Sequence, residues 1–264
     1  MIDPVPALFG LLVGFLVGLT GVGGGSLMTP FLLSIGIPAP TAIGTDLVYA
    51  TATKVAGSTQ HYRQRSVNLQ VAIFLGLGSI PASLLGVFTL ELIEHSYDAA
   101  TVRSVMVTII ASTLVLVGAS LVLSSLLPKR SNGSHETAWD GKTSMSFRRR
   151  LFTVLFGALG GYLVGLTSIG SGSIMAIILL LLYPLTPAVV VGTDIAHATV
   201  LSLVTGLAHA SQGNVDFALA GTLLLGSIPG VLVGSLLAPR IPGKPLRIIL
   251  AVMLVFVGAR LLLG

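Results

Sequence analysis

A glycine-rich stretch breaks the first apolar run of the chain, and it limits the possible folds more than any other feature. From Gly18 to Met28 the chain reads Gly-Leu-Thr-Gly-Val-Gly-Gly-Gly-Ser-Leu-Met. A second stretch, Gly-Leu-Thr-Ser-Ile-Gly-Ser-Gly-Ser-Ile-Met, begins at Gly165, at an offset of 147 (165 − 18). A helix interrupted by glycines leaves backbone N–H and C=O groups unpaired, which a membrane tolerates only where they line protein or a water-filled cavity. Two breaks at matching positions are typical of membrane transporters.

The composition indicates an integral membrane protein. Hydrophobic residues make up 53% of the chain and charged residues 9%, whereas soluble domains carry roughly 25% charged residues. The 32 glycines and 13 prolines suit broken or closely packed transmembrane helices better than a β-barrel, so an all-α class is predicted. The chain has no cysteine, which excludes disulfides and thiol chemistry.

The net charge of +5 is explained by membrane topology. Six of the 14 basic residues lie in one loop, as the positive-inside rule places them: Lys129, Arg130, Lys142, Arg148, Arg149 and Arg150. No feature favours a nucleic-acid partner, and the expected partners are the lipid bilayer and a small anionic substrate. The first residues, Met1 to Pro4, lack the basic region of a signal peptide, so the first apolar run is expected to be retained.

The chain is predicted to contain two repeats. Gly-Thr-Asp occurs at residues 44–46 and 192–194, His61 corresponds to His209, and Gly-Ser-Ile-Pro occurs at 78–81 and 226–229. All three correspondences have an offset of 148, and one inserted residue reconciles this value with the 147 at the breaks. Agreement at so many positions in one register indicates an internal duplication.

The apolar runs divide the chain into repeat 1 (1–127), a polar cytoplasmic linker (128–147) and repeat 2 (148–264). The apolar arms on either side of the first break hold about 16 and 11 residues, which reach roughly 24 and 16 Å and fall short of a ~30 Å hydrocarbon core. Each repeat is therefore predicted to begin with a helical hairpin. The predicted hairpins are 4–36 and 149–184, and the predicted helices are 40–61, 69–90, 100–127, 187–209, 216–238 and 245–263.

Loop charge predicts the orientation. The basic loops at Arg63 to Arg65, at 128–150 and at Arg240 to Arg247 are placed in the cytoplasm, and the acidic loop at 91–98 is placed outside. Residue 150 and the start of the helix at 187 are then both inside, so the broken segment between them must be a re-entrant hairpin. Each repeat has one hairpin and three spanning helices, and because three is odd the repeats are predicted to be inverted, with both termini outside.

The residues of the breaks are candidates for an anion site. A half-helix N-terminus presents unpaired N–H groups and about +0.5 charge, and hydroxyls such as those of Ser26 and Ser173 can cap it. The alternative is that the glycines only permit a tight hairpin. The predicted substrate-binding residues are Thr20, Gly21, Gly23, Gly24, Gly25, Ser26, Thr45, Thr167, Ser168, Gly170, Ser171, Gly172, Ser173 and Thr193.

A separate set of glycines has a structural interpretation. Glycines recur every fourth residue at positions 10, 14 and 18, and again at 157, 161 and 165. Small residues at this spacing let helices approach closely in lipid, so these stripes are predicted to pack against other helices.

Asp46 and Asp194 are predicted to couple transport to protons. Each lies about six residues after the proline that opens its helix, roughly 9 Å deep, where an unpaired carboxylate costs a few kcal/mol. The alternative is helix capping by Thr45 or Asp46, if the helix begins late. Lys54 corresponds to Ser202 (54 + 148) and so differs between the repeats; it could pair with Asp46, attract an anion or extend to the inner surface.

His197 completes the coupling candidates because it lies three residues after Asp194, on the same helix face. An Asp-x-x-His pair could bind a metal, but two ligands without a further cluster are a weak signal, so no metal and no cofactor is expected. His61 and His209 mark corresponding helix ends and are interpreted as interfacial residues.

The chain resembles the sulfite exporter family TauE/SafE over nearly its whole length. The most specific matching pieces are Gly21-Val22-Gly23-Gly24-Gly25, Gly44-Thr45, His61-Tyr62-Arg63 and Gly213-Asn214-Val215-Asp216. The resemblance implies an inner-membrane carrier that moves sulfite, sulfonates or other small organosulfur anions, usually outward and driven by the proton gradient. The chain departs from the family pattern after Gly-Thr, where Asp46 and Asp194 replace the more usual Ser or Asn. Carboxylates there favour protonation with binding.

The leading hypothesis is a secondary anion transporter that works by alternating access and is not an enzyme. One alternative is a carrier of cations or other anions in which Asp46 and Asp194 supply the selectivity. A second is an intramembrane hydrolase, which would need the two carboxylates within hydrogen-bond reach of each other.

Overall fold

The computed structural model describes residues 4–20, 25–126, 145–170, 172, 174–183, 185–237 and 243–263. This part of the chain forms ten helices and no strand: α1 (Pro4–Thr20), α2 (Gly25–Ser34), α3 (Ala39–Arg63), α4 (Leu69–Ser96), α5 (Ala99–Leu126), α6 (Phe147–Thr167), α7 (Ile174–Leu182), α8 (Pro187–Ser211), α9 (Phe217–Leu237) and α10 (Gly243–Leu263). Helices α4, α5, α6, α8 and α9 are long and apolar enough to cross a membrane. The prediction of an all-helical integral membrane protein is therefore confirmed.

Each half of the chain begins with two helices that fold back on each other. The ring of Phe9, early in α1, stacks on that of Phe31, late in α2, with the ring centroids 3.3 Å apart. In the second half, a hydrogen bond of 2.5 Å joins the hydroxyls of Thr153, early in α6, and Tyr183, which follows α7. The two helices of each pair therefore run antiparallel.

The first helix of each pair packs along a helix from the other half of the chain. Helix α1 lies against α9, and α6 lies against α4. A Cβ atom at Gly14 would lie 2.4 Å from the carbonyl oxygen of Ser227, and one at Gly161 would lie 2.2 Å from that of Ser79. Because a backbone atom occupies this space, any side chain would force the helices apart. These contacts account for the glycine stripes.

Helices α3 and α8, which carry the two Gly-Thr-Asp triplets, run antiparallel. A Cβ at Gly57 in the later part of α3 would lie 3.4 Å from Ile195 in the early part of α8. Conversely, a Cβ at Gly206, late in α8, would lie 3.5 Å from Leu47, early in α3. Helices α5 and α10 also run antiparallel to each other.

Helix α3 is enclosed by several other helices. It packs against α2, α5, α8 and α9, and its apolar residues Ile43, Leu47 and Tyr49 are at most 1% exposed. The same helix buries Asp46 completely and leaves Lys54 only 8% exposed. Charged groups therefore lie in the protein interior, where packing and not lipid surrounds them.

The predicted helix 69–90 is α4, and it continues through Glu91 and Glu94, which the sequence analysis placed in a loop. The side-chain amides of Gln212 and Asn214, just after α8, donate hydrogen bonds to these carboxylates at 2.8 and 3.1 Å. These polar partners compensate the acidic side chains, so the helix extends into a region that hydropathy alone marks as a loop.

Candidate functional site

The carboxylate of Asp46 is the centre of a buried polar cluster. The hydroxyls of Thr29 in α2 and Ser168 after α6 donate hydrogen bonds to its Oδ2 atom, at 2.6 and 2.8 Å. Its Oδ1 atom is buried and has no hydrogen-bond partner among the described residues. Helix α3 begins at Ala39, so Asp46 lies well inside the helix and does not cap it. The capping alternative is therefore wrong for this residue.

One described residue from each glycine-rich break lies at this carboxylate. Gly25, which ends the first break, begins α2, and a Cβ there would lie 3.3 Å from Oδ2 of Asp46 and 2.7 Å from the carbonyl oxygen of Ser168. Ser168 belongs to the second break and has a left-handed backbone with φ of 62°. Segments that are far apart in sequence thus converge on one buried point between the halves.

Asp194 occupies the corresponding position in α8 but has different surroundings. It is 3% exposed, and its Oδ1 atom has no hydrogen-bond partner in the described part of the chain. Among the described residues, no hydrogen bond joins Asp194 to Asp46. The Oδ2 atom of Asp46 is bonded to the hydroxyls of Thr29 and Ser168 instead. Lys54, which is also buried, lies on α3, the helix against which α8 packs.

Lys54 extends across the contact between α3 and α8. Its Nζ atom donates a hydrogen bond of 3.3 Å to the hydroxyl of Ser202. The two residues correspond in the repeat register, since 202 − 54 is 148. The lysine is buried and bonded to the other half of the chain, so it does not extend to the inner surface.

A second pair of corresponding positions lies beside this contact. Nε2 of His197 and the hydroxyl of Ser79 form a buried hydrogen bond of 2.7 Å between α8 and α4. The counterparts of these residues are Tyr49 and Ser227. The hydroxyls of Tyr49 and Ser227 are buried and interact with each other. His197 therefore joins the two halves through its hydrogen bond to Ser79.

Thr45 and Thr193 join the halves at the starts of two other helices. The backbone N–H of Asp216, before α9, donates to the hydroxyl oxygen of Thr45 at 3.0 Å, and that of Asn68, before α4, donates to Thr193 at 2.9 Å. These hydroxyls satisfy N–H groups that a helix start leaves unpaired. The geometry gives both threonines a structural role, and their predicted contact with substrate stays a prediction.

The remaining break residues are only partly brought into the cluster. The hydroxyl of Thr167 donates a hydrogen bond to the Leu163 carbonyl oxygen within α6 and accepts one from the N–H of Ile169. Both bonds are local, at the C-terminal end of α6. Ser26 is buried in the first turn of α2. Thr20 ends α1, and Gly170 and Gly172 lie in the turn after α6. Gly21, Gly23, Gly24, Ser171 and Ser173 lie outside the described residues.

Thr29, Ser79 and Ser202 could not be identified as site residues from the sequence. Their hydroxyls bond to the buried side chains of Asp46, His197 and Lys54, respectively. A hydroxyl in an apolar helix is weak evidence by itself. The available signal was position: Thr29 follows the first break closely, and Ser79 belongs to a motif that both repeats contain.

The two histidines of the corresponding helix ends differ. His209 is fully buried, and its Nε2 atom bonds to the Gly165 carbonyl oxygen at 3.0 Å, whereas His61 is partly exposed and bonds to Ser66. The interfacial interpretation does not describe His209, because its side chain is buried against Gly44 of α3 and Gly165 of α6. Among the described residues, no three His, Cys, Asp or Glu side chains are grouped as a metal site would require.

Comparison with known proteins agrees with this architecture. Residues 7–261 match the family described as "Sulfite exporter TauE/SafE". The chain is 41% identical to the "Probable membrane transporter protein YjnA" of Bacillus subtilis, over 97% of this chain and 98% of that protein. It is 23% identical to YunE of the same organism (96% and 94%) and 27% identical to a "Probable membrane transporter protein" of Haemophilus influenzae (87% and 83%). No solved structure matches it.

Proposed function

Because this chain belongs to the sulfite exporter TauE/SafE family, we propose that it exports small sulfur-containing anions, such as sulfite or sulfonates, across the inner membrane. Family and relatives establish a multi-pass membrane transporter and not an enzyme, so the hydrolase alternative is set aside. The proposal adds a substrate class, coupling to the proton gradient and alternating access.

One observation carries the proposal: described residues from both breaks, Gly25 and Ser168, lie against Asp46 between the halves. Ser168 from the second break and Gly25 from the first lie against the same carboxylate, which is completely buried. Irregular backbone at membrane depth is tolerated where it is buried in protein or lines a water-filled cavity, and the N-terminus of α2 provides N–H groups suited to an anion. A protonatable carboxylate beside such a site supports anion and proton moving together.

The antiparallel packing of corresponding helices supports an inverted repeat. Helix α3 corresponds to α8 and α5 to α10, and both pairs run antiparallel. When two repeats cross the membrane in opposite senses, each can adopt the conformation that the other had. Such an exchange opens a central site first to one side of the membrane and then to the other. Together with the basic linker, this arrangement supports both termini lying outside.

A second candidate is a carrier that selects a cation or another anion through Asp46 and Asp194. The observation that favours it is that each carboxylate keeps one buried oxygen without a hydrogen-bond partner among the described residues. In that case, replacing both aspartates by asparagine abolishes binding.

The test is uptake of labelled sulfite, and separately of a labelled alkylsulfonate, into proteoliposomes under an imposed pH gradient. We expect wild-type uptake to follow the gradient and to collapse in the double variant Asp46→Asn, Asp194→Asn. Empty liposomes give the background, and Asp98→Asn is the matched control because Asp98 lies outside the helices and is exposed. Wild-type flux equal to that of empty liposomes, for both anions at every gradient, would reject this substrate class.

A further inference from the structure

Two short segments, here called straps, each lie against the early part of a helix from the other half of the chain. The first strap, residues 64–68, joins α3 to α4, and the second strap, residues 212–216, joins α8 to α9. We propose that the two straps are the gates of the carrier, one on each side of the membrane. This inference rests on the proposed function, because a carrier needs two gates only if it works by alternating access.

The straps have the same backbone structure at corresponding positions. Arg65 and Gly213, which differ by 148, both have a left-handed backbone, with φ of 54° and 78°. The residue after each of them, Ser66 or Asn214, donates its backbone N–H to the carbonyl oxygen five residues earlier. Hydrogen bonds of this kind turn the chain back at the C-terminus of a helix. Each strap is therefore a defined turn, and the two turns are matched.

Each strap lies on the Gly-Thr pair of the opposite half. A Cβ atom at Gly44 would overlap the carbonyl oxygen of Asn214, and one at Gly192 would overlap that of Ser66. The threonine after each glycine accepts a hydrogen bond from the backbone N–H of the last strap residue, at 3.0 Å for Thr45 and 2.9 Å for its counterpart. The straps are thus in backbone contact with the helices, and no side chain fits between them.

This contact places one strap over each buried aspartate. In both Gly-Thr-Asp triplets the aspartate directly follows the threonine that the strap contacts. Asp46 and Asp194 each precede by eight residues a member of the hydrogen-bonded pair Lys54 and Ser202, which is about 12 Å along the helix axis. Because α3 and α8 are antiparallel, the two aspartates lie on opposite sides of that hydrogen bond. Each aspartate therefore lies between the centre of the contact and its own strap.

A strap that moves away from its glycine would uncover the aspartate beside it. The contacts that must break are few, namely the backbone contact at the glycine and one hydrogen bond to the threonine. Each strap also begins at a helix end, which is where hinges commonly lie. Segments with few buried contacts are the parts of a protein that open most readily. The straps therefore meet the requirements for gates.

The second strap has two additional ties to the opposite half. The side-chain amides of Gln212 and Asn214 donate hydrogen bonds to Glu91 and Glu94 at the end of α4, at 2.8 and 3.1 Å. The chain has proline at both positions that correspond to these glutamates, 239 and 242. A proline side chain accepts no hydrogen bond. The first strap therefore cannot form the equivalent ties.

The first strap is bonded to its own helix instead. The hydroxyl of Ser66 donates to the carbonyl oxygen of His61 and also bonds to the ring Nδ1 atom of that residue. These bonds hold the turn together but do not join it to the other half. The second strap is thus the harder gate to open. In the orientation expected from the loop charges it faces outward, so the carrier at rest is closed to the outside.

Thiol labelling in the cysteine-free chain tests this gate without any substrate. The reporter is Thr29→Cys, because Thr29 is fully buried beside Asp46. A small methanethiosulfonate that does not cross membranes is added from the outer side. Replacing Gln212 and Asn214 by alanine removes both ties. We expect labelling to become roughly 25-fold faster, because the net contribution of one hydrogen bond corresponds to about fivefold in an equilibrium constant.

Ser66→Ala is the matched control, since residue 66 corresponds to residue 214 and its replacement loosens the other strap. It should not accelerate labelling of the reporter from the outer side. The proposal is overturned if the double alanine variant labels at the rate of the reporter alone, or if Ser66→Ala accelerates labelling equally.

Cross-linking tests the same gate during transport. The thiols of Glu94→Cys and Asn214→Cys replace side chains that a hydrogen bond joins, and a short bifunctional methanethiosulfonate should bridge them. We expect the bridged protein to lose uptake of labelled sulfite and to regain it on reduction, while each single cysteine variant is unaffected by the reagent. Full uptake by the bridged protein would contradict the gate. Absence of uptake before bridging would reject the substrate instead, and the labelling rates would still decide whether the strap is a gate.

Discussion

Ser168 shows how much one residue contributes to the interior. Its hydroxyl crosses from the second break to the carboxylate of Asp46 in the first half, and its backbone has a φ of 62°. A residue with a Cβ is strained in this left-handed region by about 1–2 kcal/mol. The strain is tolerated here because the turn after α6 aims the hydroxyl at a buried charge.

We expect Ser168→Ala to lower the free energy of unfolding by about 1.5–3 kcal/mol, the usual contribution of a hydrogen bond to a charged group. Ser168→Gly loses the same bond but relieves the left-handed backbone, so it should be the less damaging of the two. The measurement is the melting temperature in detergent. Ser211→Ala is the control, since that exposed hydroxyl bonds only to a carbonyl of its own helix. A Ser168→Ala protein as stable as the wild type would show that the bond contributes nothing.

At the scale of the helices, glycine decides which elements can lie together. The stripe on α1 faces the backbone of α9, and the stripe on α6 faces that of α4. The sequence alone predicts that these stripes pack against helices. It did not predict that each stripe packs against the other half of the chain, because a stripe specifies a close contact and not the partner.

Gly14→Ala should disrupt the contact of α1 with α9. The added methyl would lie 2.4 Å from the Ser227 carbonyl oxygen, and such overpacking costs about 1–3 kcal/mol. Gly221→Ala is a matched control in α9 itself, because no atom lies within 4 Å of a Cβ there, and the change should be neutral or stabilising by roughly 0.5–1 kcal/mol. Unfolding temperatures of the two variants would settle the point, and equal losses would contradict the packing argument.

For the molecule as a whole, corresponding residues of the two halves make reciprocal hydrogen bonds to the opposite half. The hydroxyl oxygen of Thr45 accepts a hydrogen bond from the backbone N–H of Asp216, and that of the corresponding Thr193 accepts one from the N–H of Asn68. Reciprocal contacts of this kind are expected for two similar units related by a two-fold axis. The orientation of that axis relative to the membrane distinguishes an inverted from a parallel repeat.

Labelling of single cysteines tests the inversion directly, and the native chain offers a cysteine-free background. Arg63 and Ser211 are exposed, correspond at the offset of 148, and end helices α3 and α8. A maleimide that does not cross membranes should label Arg63→Cys only from the cytoplasmic side and Ser211→Cys only from the outer side. Labelling of both from one side would mean that the repeats cross the membrane in the same sense.

The sequence by itself determined the membrane class, the helical content and the positions of the two breaks. These properties follow from composition and from the spacing of residues along the chain, which neighbouring residues alone establish. The repeat register likewise placed Asp46 and Asp194 at corresponding positions. Only the tertiary structure decided their different surroundings, because Thr29 and Ser168 reach Asp46 across separations of 17 and 122 residues. Such contacts depend on how the helices pack, and symmetry in sequence does not reveal which side chains the packing brings together.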